Sequence, residues 1–466
     1  MSDLLNYFFQ YFWILLTLGI HGSVLGLVAY LILLERKTAS WVQDRIGPNR
    51  TGLGFGIVPG LKDFHCWGLG QPMADGLKFF VKEDYRPGGV DKILFTLAPM
   101  IMIITVIISV AVIPWGGVLE RTAKVAPGTD PASVVPVTAT VVSQGESAVT
   151  YHMPFQIASL NIGVLFVLGT LSLAVYGVVI GGYASNNKFS FLGGLRATAN
   201  MISYEIPLGV SVLAVVILFG TLDLGAIVAA QTHTWGGIVP AWNVFAHPVA
   251  FVLFLICIHA EANRAPFDLA EAEQELVGGY HTEYSSMRFA LFFLAEYAGM
   301  ITTSAVCVAL FFGGWHLPFG LLDGRVIPGN PVVTDNLLIC MLRVGAFFAK
   351  TVLILFIFMW VRWSLPRFRF DQLMMLAWRG LIPISFGLFT MSMLVVYFFG
   401  REPRGLINGT MVLTGKMALA LLAGNILVVV VTVLVSKIIP AAPLTNRRMQ
   451  VDGSRFSGQI SLPAQA

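Results

Sequence analysis

The segment FFQYFWILLTLGIHGSVLGLVAYLILLERK (residues 8–37) determines the class of fold. Its apolar run over residues 8–34 exceeds the roughly 20 residues that a helix needs to cross a bilayer. No basic region precedes the run, and it is too long for the apolar core of a cleaved signal peptide. It ends at Glu35, Arg36 and Lys37, and such charges stop a span on the positive side of a membrane. The segment therefore predicts a first transmembrane helix.

The composition extends this prediction to the whole chain. Of its 466 residues, 56% are hydrophobic and only 12% are charged, about half of the ~25% typical of soluble domains. Nine apolar segments are predicted to span the membrane, at about residues 8–34, 92–114, 157–182, 199–220, 246–262, 287–313, 337–361, 379–399 and 416–438. We therefore expect an all-α polytopic membrane protein in which residues 1–439 form a single transmembrane domain.

The basic residues predict the orientation. With the N-terminus outside, the inner loops and the C-terminal tail hold 21 of the 29 Lys and Arg residues, and the outer segments hold 6. The positive-inside rule then places the C-terminus in the cytoplasm, with residues 440–466 as a polar tail. The net charge of +4 is spread over many loops, so it does not indicate a nucleic-acid partner.

One helix is predicted to lie on the membrane surface. In QPMADGLKFFVKED (residues 71–84), Pro72 can open a helix, and four apolar residues then recur on one face. These four are Met73, Leu77, Phe80 and Val81. The pattern is typical of an amphipathic helix at the lipid–water interface. The alternative is a loop helix whose apolar face packs on its own protein.

Five ionisable residues are predicted inside the spans. They are Glu205, Glu261, Glu296, Arg343 and Lys350. A charge at mid-bilayer costs about 2.5–3.5 kcal/mol on insertion scales, so each needs a partner or a function. One explanation is structural ion pairing, for example between Glu296 and Lys350. The other is a proton path, because buried carboxylates with basic partners form proton relays in membrane proteins.

An acidic loop at about residues 263–286 joins the fifth and sixth spans. Within it, PFDLAEAEQELVGGYHTEY (residues 266–284) has five acids, Asp268, Glu271, Glu273, Glu275 and Glu283, and no Lys or Arg. Pro266 can open a helix there, and Gly278 can end it. Asp268, Glu271 and Glu275 would share one face. The loop is either a solvated acidic helix or a partly protonated cluster that feeds the intramembrane acids.

Two basic segments complete the pattern. ERKTASWVQDRIGPNRTG (residues 35–52) and VRWSLPRFRFDQLM (residues 361–374) combine cations with aromatic residues and proline. They suit a protein-docking surface or the rim of a pocket for a ring-bearing ligand, although ordinary positive-inside charge explains part of the pattern. The four cysteines lie far apart, without a CxxC motif, and no GxGxxG motif is present, so we expect no metal and no nucleotide on this chain.

Five motifs together resemble one family. They are ERKTASWVQDRIGPNRTG, QPMADGLKFFVKED, SYEIPLG, AEANRAPFDLAEAEQELVGGYHTEYSSMRFALFFLAEY and WVRWSLPRFRFDQLM. The chain resembles the H subunits of proton-translocating NADH:quinone oxidoreductase, respiratory complex I, in the order and content of these motifs. It departs from the family pattern at three places, which are VPGLKDFHCW (residues 58–67), the outer loop at 115–156, and the tail after 440.

The resemblance implies a function and a site. It implies a subunit of the cell inner (plasma) membrane that joins the peripheral electron-transfer arm to the membrane arm and admits quinone, of a type the sequence does not specify, from the bilayer. NADH, flavin and iron–sulfur clusters would belong to partner subunits. The quinone chamber or its entrance would include Arg36, Arg362, Arg367, Arg369 and Asp371. The proton path would include Glu35, Glu205, Glu261, Asp268, Glu271, Glu273, Glu275 and Glu296, with Arg264, Arg343 and Lys350.

Two other functions remain open from the sequence. The first is the related membrane subunit of a hydrogenase-type complex, similar to formate hydrogenlyase, although RIGPNR and LPRFRFDQLM favour the quinone-linked branch. The second is a free-standing ion transporter, which would predict inverted repeats around a midplane site. No repeat is evident, and polar sequence concentrates on the inner side.

Overall fold

A computed structural model describes residues 11–52, 66–124, 139–144, 148–235, 239–268, 278–317, 333–399, 406–407 and 410–438. Its helices are α1 (Phe12–Val42), α2 (Gln71–Val81), α3 (Lys92–Val110), α4 (Gly163–Ala184), α5 (Lys188–Phe219), α6 (Leu224–Ala230), α7 (Asn243–Ala246), α8 (Pro248–Glu261), α9 (Ser286–Phe311), α10 (Leu337–Ser364), α11 (Phe370–Met375), α12 (Ile382–Phe399) and α13 (Gly415–Ile438). A single π-helical turn, Leu376–Leu381, joins α11 to α12. The protein is therefore mostly helical.

Eight helical segments are long and apolar enough to cross a membrane, and they correspond to eight of the nine predicted spans. The remaining prediction, residues 246–262, falls on α8, which has only 14 residues. At 1.5 Å per residue such a helix is about 21 Å long, shorter than the ~30 Å hydrocarbon core. The fold is that of a polytopic membrane protein, and a count of nine spans stays a prediction.

Three of the long helices start where polar side chains satisfy free backbone N–H groups. The carboxylate of Asp91 accepts hydrogen bonds from the backbone N–H groups of Ile93 and Leu94, which caps α3. Asn187 and Asn336 cap α5 and α10 in the same way. These caps determine where α3, α5 and α10 begin.

The bundle has two ends, which we call the Glu35 face and the sheet face. The Glu35 face contains the last turns of α1, around Glu35, and the first turn of α9, where Ser285 donates to the backbone carbonyl of Glu83 (3.1 Å). At the opposite end Phe12 of α1 packs edge-on against Phe155 (5.8 Å between ring centroids). On the Glu35 face, polar groups of loops from distant parts of the sequence therefore come into contact, as Ser285 and Glu83 do.

The sheet face contains a small β-structure that the all-α prediction omits. Strands β1 (Gly116–Lys124), β2 (Thr140–Gln144), β3 (Ala148–Phe155) and β6 (Val333–Thr334) form one sheet in the order β2-β3-β1-β6. Two short hairpins pair β4 (Thr234–Trp235) with β5 (Val239–Pro240) and β7 (Leu406–Ile407) with β8 (Thr410–Met411). The outer loop at 115–156 supplies three of the sheet strands, because its Val- and Thr-rich segments suit paired strands.

Helix α2 lies against α1 and α9 without burying any of its residues. Its apolar side chains Met73, Leu77, Phe80 and Val81 are exposed. This exposure opposes the alternative in which the apolar face packs on the same protein. It is consistent with a helix at the membrane surface.

Close backbone packing joins α5 to the segment before α9. A Cβ atom added to Gly193 would lie 2.7 Å from the Cα of Gly279, which itself has a positive φ of 62°. Both positions therefore require glycine. This contact fixes the position of the next residue, Tyr280, which is fully buried.

We predict that Gly193→Ala lowers the free energy of unfolding by about 1–3 kcal/mol, because the new methyl group must displace backbone atoms. The matched control is Gly209→Ala in the same helix, where an added Cβ has no neighbour within 4 Å. That change should be neutral or stabilising by up to about 1 kcal/mol. Thermal unfolding of the purified protein in mild detergent measures both, and equal effects would contradict the proposed contact.

Candidate functional site

A large cavity opens between α1, α2 and α9, and we call it the α2 cavity. Its volume is about 600 Å³. Its walls are mostly apolar, and they include Val28, Ala29, Ile32, Phe79, Phe293 and Leu294. Polar side chains line the end of the cavity that lies at the Glu35 face of the bundle, and these are Glu35, Arg36, Gln71, Asp75, Lys78 and Tyr297. The cavity thus combines an apolar body with one charged end.

A salt bridge crosses the rim of this cavity. Arg36 of α1 contacts Asp75 of α2, with 2.9 Å between Nη1 and Oδ2. The side-chain amide of Gln71 donates to the same carboxylate (2.9 Å). The far end of α2 is tied to α9, because Ser286 donates to the backbone carbonyls of Phe79 and Lys82. Helix α2 is therefore anchored at both ends while its middle covers the cavity.

Glu35 lies at the charged end and is buried, with 7% of its surface exposed. One carboxylate oxygen accepts a hydrogen bond from the phenol of Tyr297, and the other forms a salt bridge with Arg362. The sequence assigned Glu35 to the proton path and Arg362 to the quinone chamber. The structure brings these two residues into direct contact.

Arg264 connects this end of the cavity to the interior. Its guanidinium lies 4.2 Å from the centroid of the Tyr297 ring and 3.7 Å from Oε2 of Glu296. The phenol of Tyr280 donates to the other oxygen of Glu296 (2.8 Å). Arg264 and Glu296 are both more than nine-tenths buried, so this pair is shielded from solvent.

Two smaller cavities continue from Glu296 toward the middle of the bundle. Glu296 and Glu261 line a cavity of about 40 Å³. Glu261 and Glu205 line a second one of about 160 Å³, together with the hydroxyl-bearing Ser172 and Thr303. Since Glu261 and Thr303 line both cavities, the buried Glu296 and the partly buried Glu261 and Glu205 form one continuous series that begins at the α2 cavity.

The acidic loop is described only as far as Asp268 on this side. Asp268 is buried and forms a 3.0 Å salt bridge with Arg367. The predicted helix start at Pro266 is wrong, because residues 264–267 form a turn in which Phe267 N donates to the backbone carbonyl of Arg264. Glu271, Glu273 and Glu275 lie outside the described residues.

The predicted site residues of the second basic segment (residues 361–374) lie in two environments. Arg362 and Arg367 reach buried carboxylates, Arg362 at Glu35 and Arg367 at Asp268. Arg369 and Asp371 are exposed at the start of α11. The structure therefore joins the first two residues to the buried acids and leaves the last two on the surface of this chain.

The two basic residues of α10 contact groups outside the series of Glu296, Glu261 and Glu205. The ammonium of Lys350 donates to the backbone carbonyls of Phe312 and Gly314, at 2.7 and 2.9 Å, and to that of His316. Arg343 lies over the ring of Trp315, 4.5 Å from its centroid. The suggested pair of Glu296 with Lys350 is wrong, because Lys350 satisfies the free carbonyls at the end of α9 instead.

Sequence reasoning missed the two tyrosines that join the charged groups. Tyr297 follows Glu296 directly, yet a helix turns by about 100° per residue, so their side chains contact different partners. Tyr280 follows the Gly-Gly pair of the acidic loop. Nearby, burial raises the pKa of Tyr284, which stacks on Phe95 (3.9 Å between centroids) and stays protonated at neutral pH. Only the contacts in the folded protein identify the phenols of Tyr280 and Tyr297 as donors.

Comparisons with known proteins show the family to which this chain belongs. The family model described as NADH dehydrogenase matches residues 15–395. The first of the NADH-quinone oxidoreductase H subunits of Cytophaga hutchinsonii is 43% identical over 361 residues, which are 78% of this chain and 90% of that protein. The chain belongs to the family of NADH-quinone oxidoreductase H subunits.

Two other H subunits show the same extent of similarity. That of Leptospira biflexa is 43% identical over 83% of this chain and 94% of its own length. That of Flavobacterium johnsoniae is 42% identical over 75% of this chain and 85% of its own length. H subunits are parts of an oxidoreductase.

Among the described residues, no three His, Cys, Asp or Glu side chains are grouped to hold a metal ion.

We predict a strong energetic coupling between Glu35 and Arg362, because both members of the pair are largely buried. A double-mutant cycle with Glu35→Gln and Arg362→Gln should give a coupling free energy of about 1–3 kcal/mol in thermal unfolding of the purified complex. The control cycle on the more exposed Arg36–Asp75 pair should give less than about 1 kcal/mol. Equal coupling in the two cycles would contradict the burial argument.

Proposed function

We propose that this H subunit admits quinone from the bilayer through the α2 cavity and couples quinone reduction to proton translocation. The observation that carries the proposal is the continuous series from the α2 cavity through Glu35, Tyr297 and Arg264 to the buried Glu296 and the partly buried Glu261 and Glu205. A ligand in the cavity would contact the first member of the series. Protons or charge could then pass along the others.

The shape and chemistry of the α2 cavity suit a quinone. Its volume of about 600 Å³ lies within the 300–1,000 Å³ common for small-molecule sites. Apolar walls can accommodate an isoprenoid tail, and the charged end offers a hydrogen-bond donor in Arg36 to a carbonyl of the ring. Because α2 exposes its apolar face, the cavity would lie beside the acyl chains.

Reduction of the quinone supplies the driving force in this proposal. Conversion of a quinone to a quinol adds two electrons and takes up two protons, so negative charge appears transiently near the charged end. A negative charge stabilises the protonated form of neighbouring carboxylates. Protonation at Glu35 would weaken its salt bridge with Arg362. Loss of this salt bridge would alter the contacts of Arg264 and Glu296, because Tyr297 contacts both Glu35 and Arg264.

The remaining features of the proposal follow from family membership and sequence. We infer a bacterial-type plasma membrane location with the N-terminus outside, supported by the 21 of 29 Lys and Arg residues in the predicted inner segments. The partners would be the neighbouring membrane subunits and the peripheral subunits that hold NADH, flavin and iron–sulfur clusters. The exposed Arg369 and Asp371 on the Glu35 face are suited to contact them.

We predict that Ala29→Trp, which fills the α2 cavity from α1, lowers kcat/KM for quinone about tenfold. The control is Leu18→Trp on the same helix, at a side chain that is 67% exposed and lies outside the cavity. NADH oxidation by an artificial hydrophilic acceptor should be normal in both variants, which verifies assembly. Full quinone activity in Ala29→Trp would exclude the α2 cavity as the route.

A second prediction concerns the buried carboxylates. Glu261→Gln and Glu205→Gln should reduce proton translocation and quinone reduction together by about tenfold or more, because a coupled enzyme cannot complete one without the other. The control is Glu120→Gln, in the sheet at the opposite face, where Glu120 contacts His152 at 3.1 Å. Proton uptake and NADH oxidation in sealed vesicles measure both rates. Wild-type rates of both proton uptake and NADH oxidation in the two glutamate variants would refute the path.

A further inference from the structure

A fourth cavity lies beside the end of α1, away from the α2 cavity. We call it the Lys37 cavity, and its volume is about 580 Å³. It is lined by Lys37, Trp41, Asp44, Arg45, Asn49 and Trp67, with Ile46 at its edge. Neither the carboxylate series nor the route for quinone uses these side chains.

Lys37 is the unusual member of this group. Only 7% of its surface is exposed. Within the described residues its ammonium has no hydrogen-bond or salt-bridge partner, and it faces the ring of Trp67 at 5.4 Å from the centroid. The side chain of Lys37 is thus largely buried while it lines the cavity, and an anion in the cavity would supply the partner that its ammonium lacks.

The backbone around the Lys37 cavity is closely packed. Arg45 N donates to the backbone carbonyl of Ser40 (2.7 Å), which folds the segment after α1 back onto the helix. Gly47 and Gly68 both have positive φ, and a Cβ atom at Gly68 would lie 2.5 Å from the carbonyl oxygen of Pro48. The wall that carries Trp67 is therefore fixed against the turn that carries Arg45.

The charges predict the kind of ligand. Lys37 and Arg45 contribute two positive charges and Asp44 one negative charge, which leaves an excess of one. A phosphodiester group, with a single negative charge, matches this excess. The amide of Asn49 adds a further hydrogen-bond donor at the same cavity.

The position of the cavity favours a lipid over a soluble anion. Lys37 follows the end of the apolar run of α1 by less than one helical turn, at the depth where headgroups are expected. Trp41, Ile46 and Trp67 are 50%, 75% and 72% exposed, and tryptophan is enriched at this level of a bilayer. The exposed apolar face of α2 begins soon after Trp67.

We propose that the Lys37 cavity binds the phosphate of an anionic phospholipid, with Lys37 and Arg45 as its cationic ligands. The bound headgroup would pair with the ammonium of Lys37 inside the cavity. It would also fix the end of α1 that carries Arg36 toward the α2 cavity. The site is independent of the proposed proton path, so it can be tested without any measurement of activity.

The test uses the full chain with its associated subunits, purified in mild detergent and placed in nanodiscs of phosphatidylcholine with or without added phosphatidylglycerol. Phosphatidylglycerol retained after washing is quantified by mass spectrometry. Lys37→Gln and Arg45→Gln should each weaken retention about fivefold, since one cation near a membrane surface contributes about 1 kcal/mol. Lys37→Arg should retain the lipid, because it keeps the charge.

The matched control is Lys437→Gln, which removes an exposed cation at the end of α13. It should leave retention unchanged. Wild-type retention in Lys37→Gln, or an equal loss in Lys437→Gln, would overturn the proposal. So would a Lys37→Gln variant that keeps its lipid but loses peripheral subunits, since that result would assign the cavity to an acidic segment of a partner. Thermal unfolding in phosphatidylcholine alone verifies that each variant is folded.

Discussion

The buried guanidinium of Arg264 is the interaction on which the organisation of the Glu35 face depends. It contacts the Glu296 carboxylate and the Tyr297 ring at once, and Tyr297 in turn donates to Glu35. Two adjacent residues of α9 thereby share one guanidinium, while Glu296 also contacts Tyr280 and Tyr297 contacts α1. A buried cation in a membrane protein requires such compensation, because an unpaired charge there costs several kcal/mol.

This constraint explains why the polar groups of the Glu35 face form a series and not a set of separate ion pairs. Helix α9 is the most buried of the eight long apolar segments, so its polar side chains can reach only other protein groups. Each carboxylate that it or its neighbours bury must lie next to a donor or a small cavity. The spaces shared by Glu205, Glu261 and Glu296 meet this requirement inside the bundle.

Three environments of basic residues in this protein suggest three functions. Arg264 and Arg362 neutralise buried carboxylates, and Lys350 binds the carbonyls that end α9. Lys37 differs from these, since it lines a cavity without a partner among the described residues. Residue type alone does not separate these cases, because each is a basic residue near the end of an apolar run or within one.

The sequence by itself determined the membrane class, the eight long apolar helices and the family, because apolar length and short motifs are local properties. It also identified Glu35, Arg362, Glu296 and Arg264 as functional candidates. Only the tertiary structure decided their pairing, placed Lys350 on backbone carbonyls, and revealed Tyr280 and Tyr297 as donors. It also revealed the sheet on the opposite face. Partners such as Glu35 and Tyr297 are 262 residues apart, and hydropathy carries no information about which distant side chains meet.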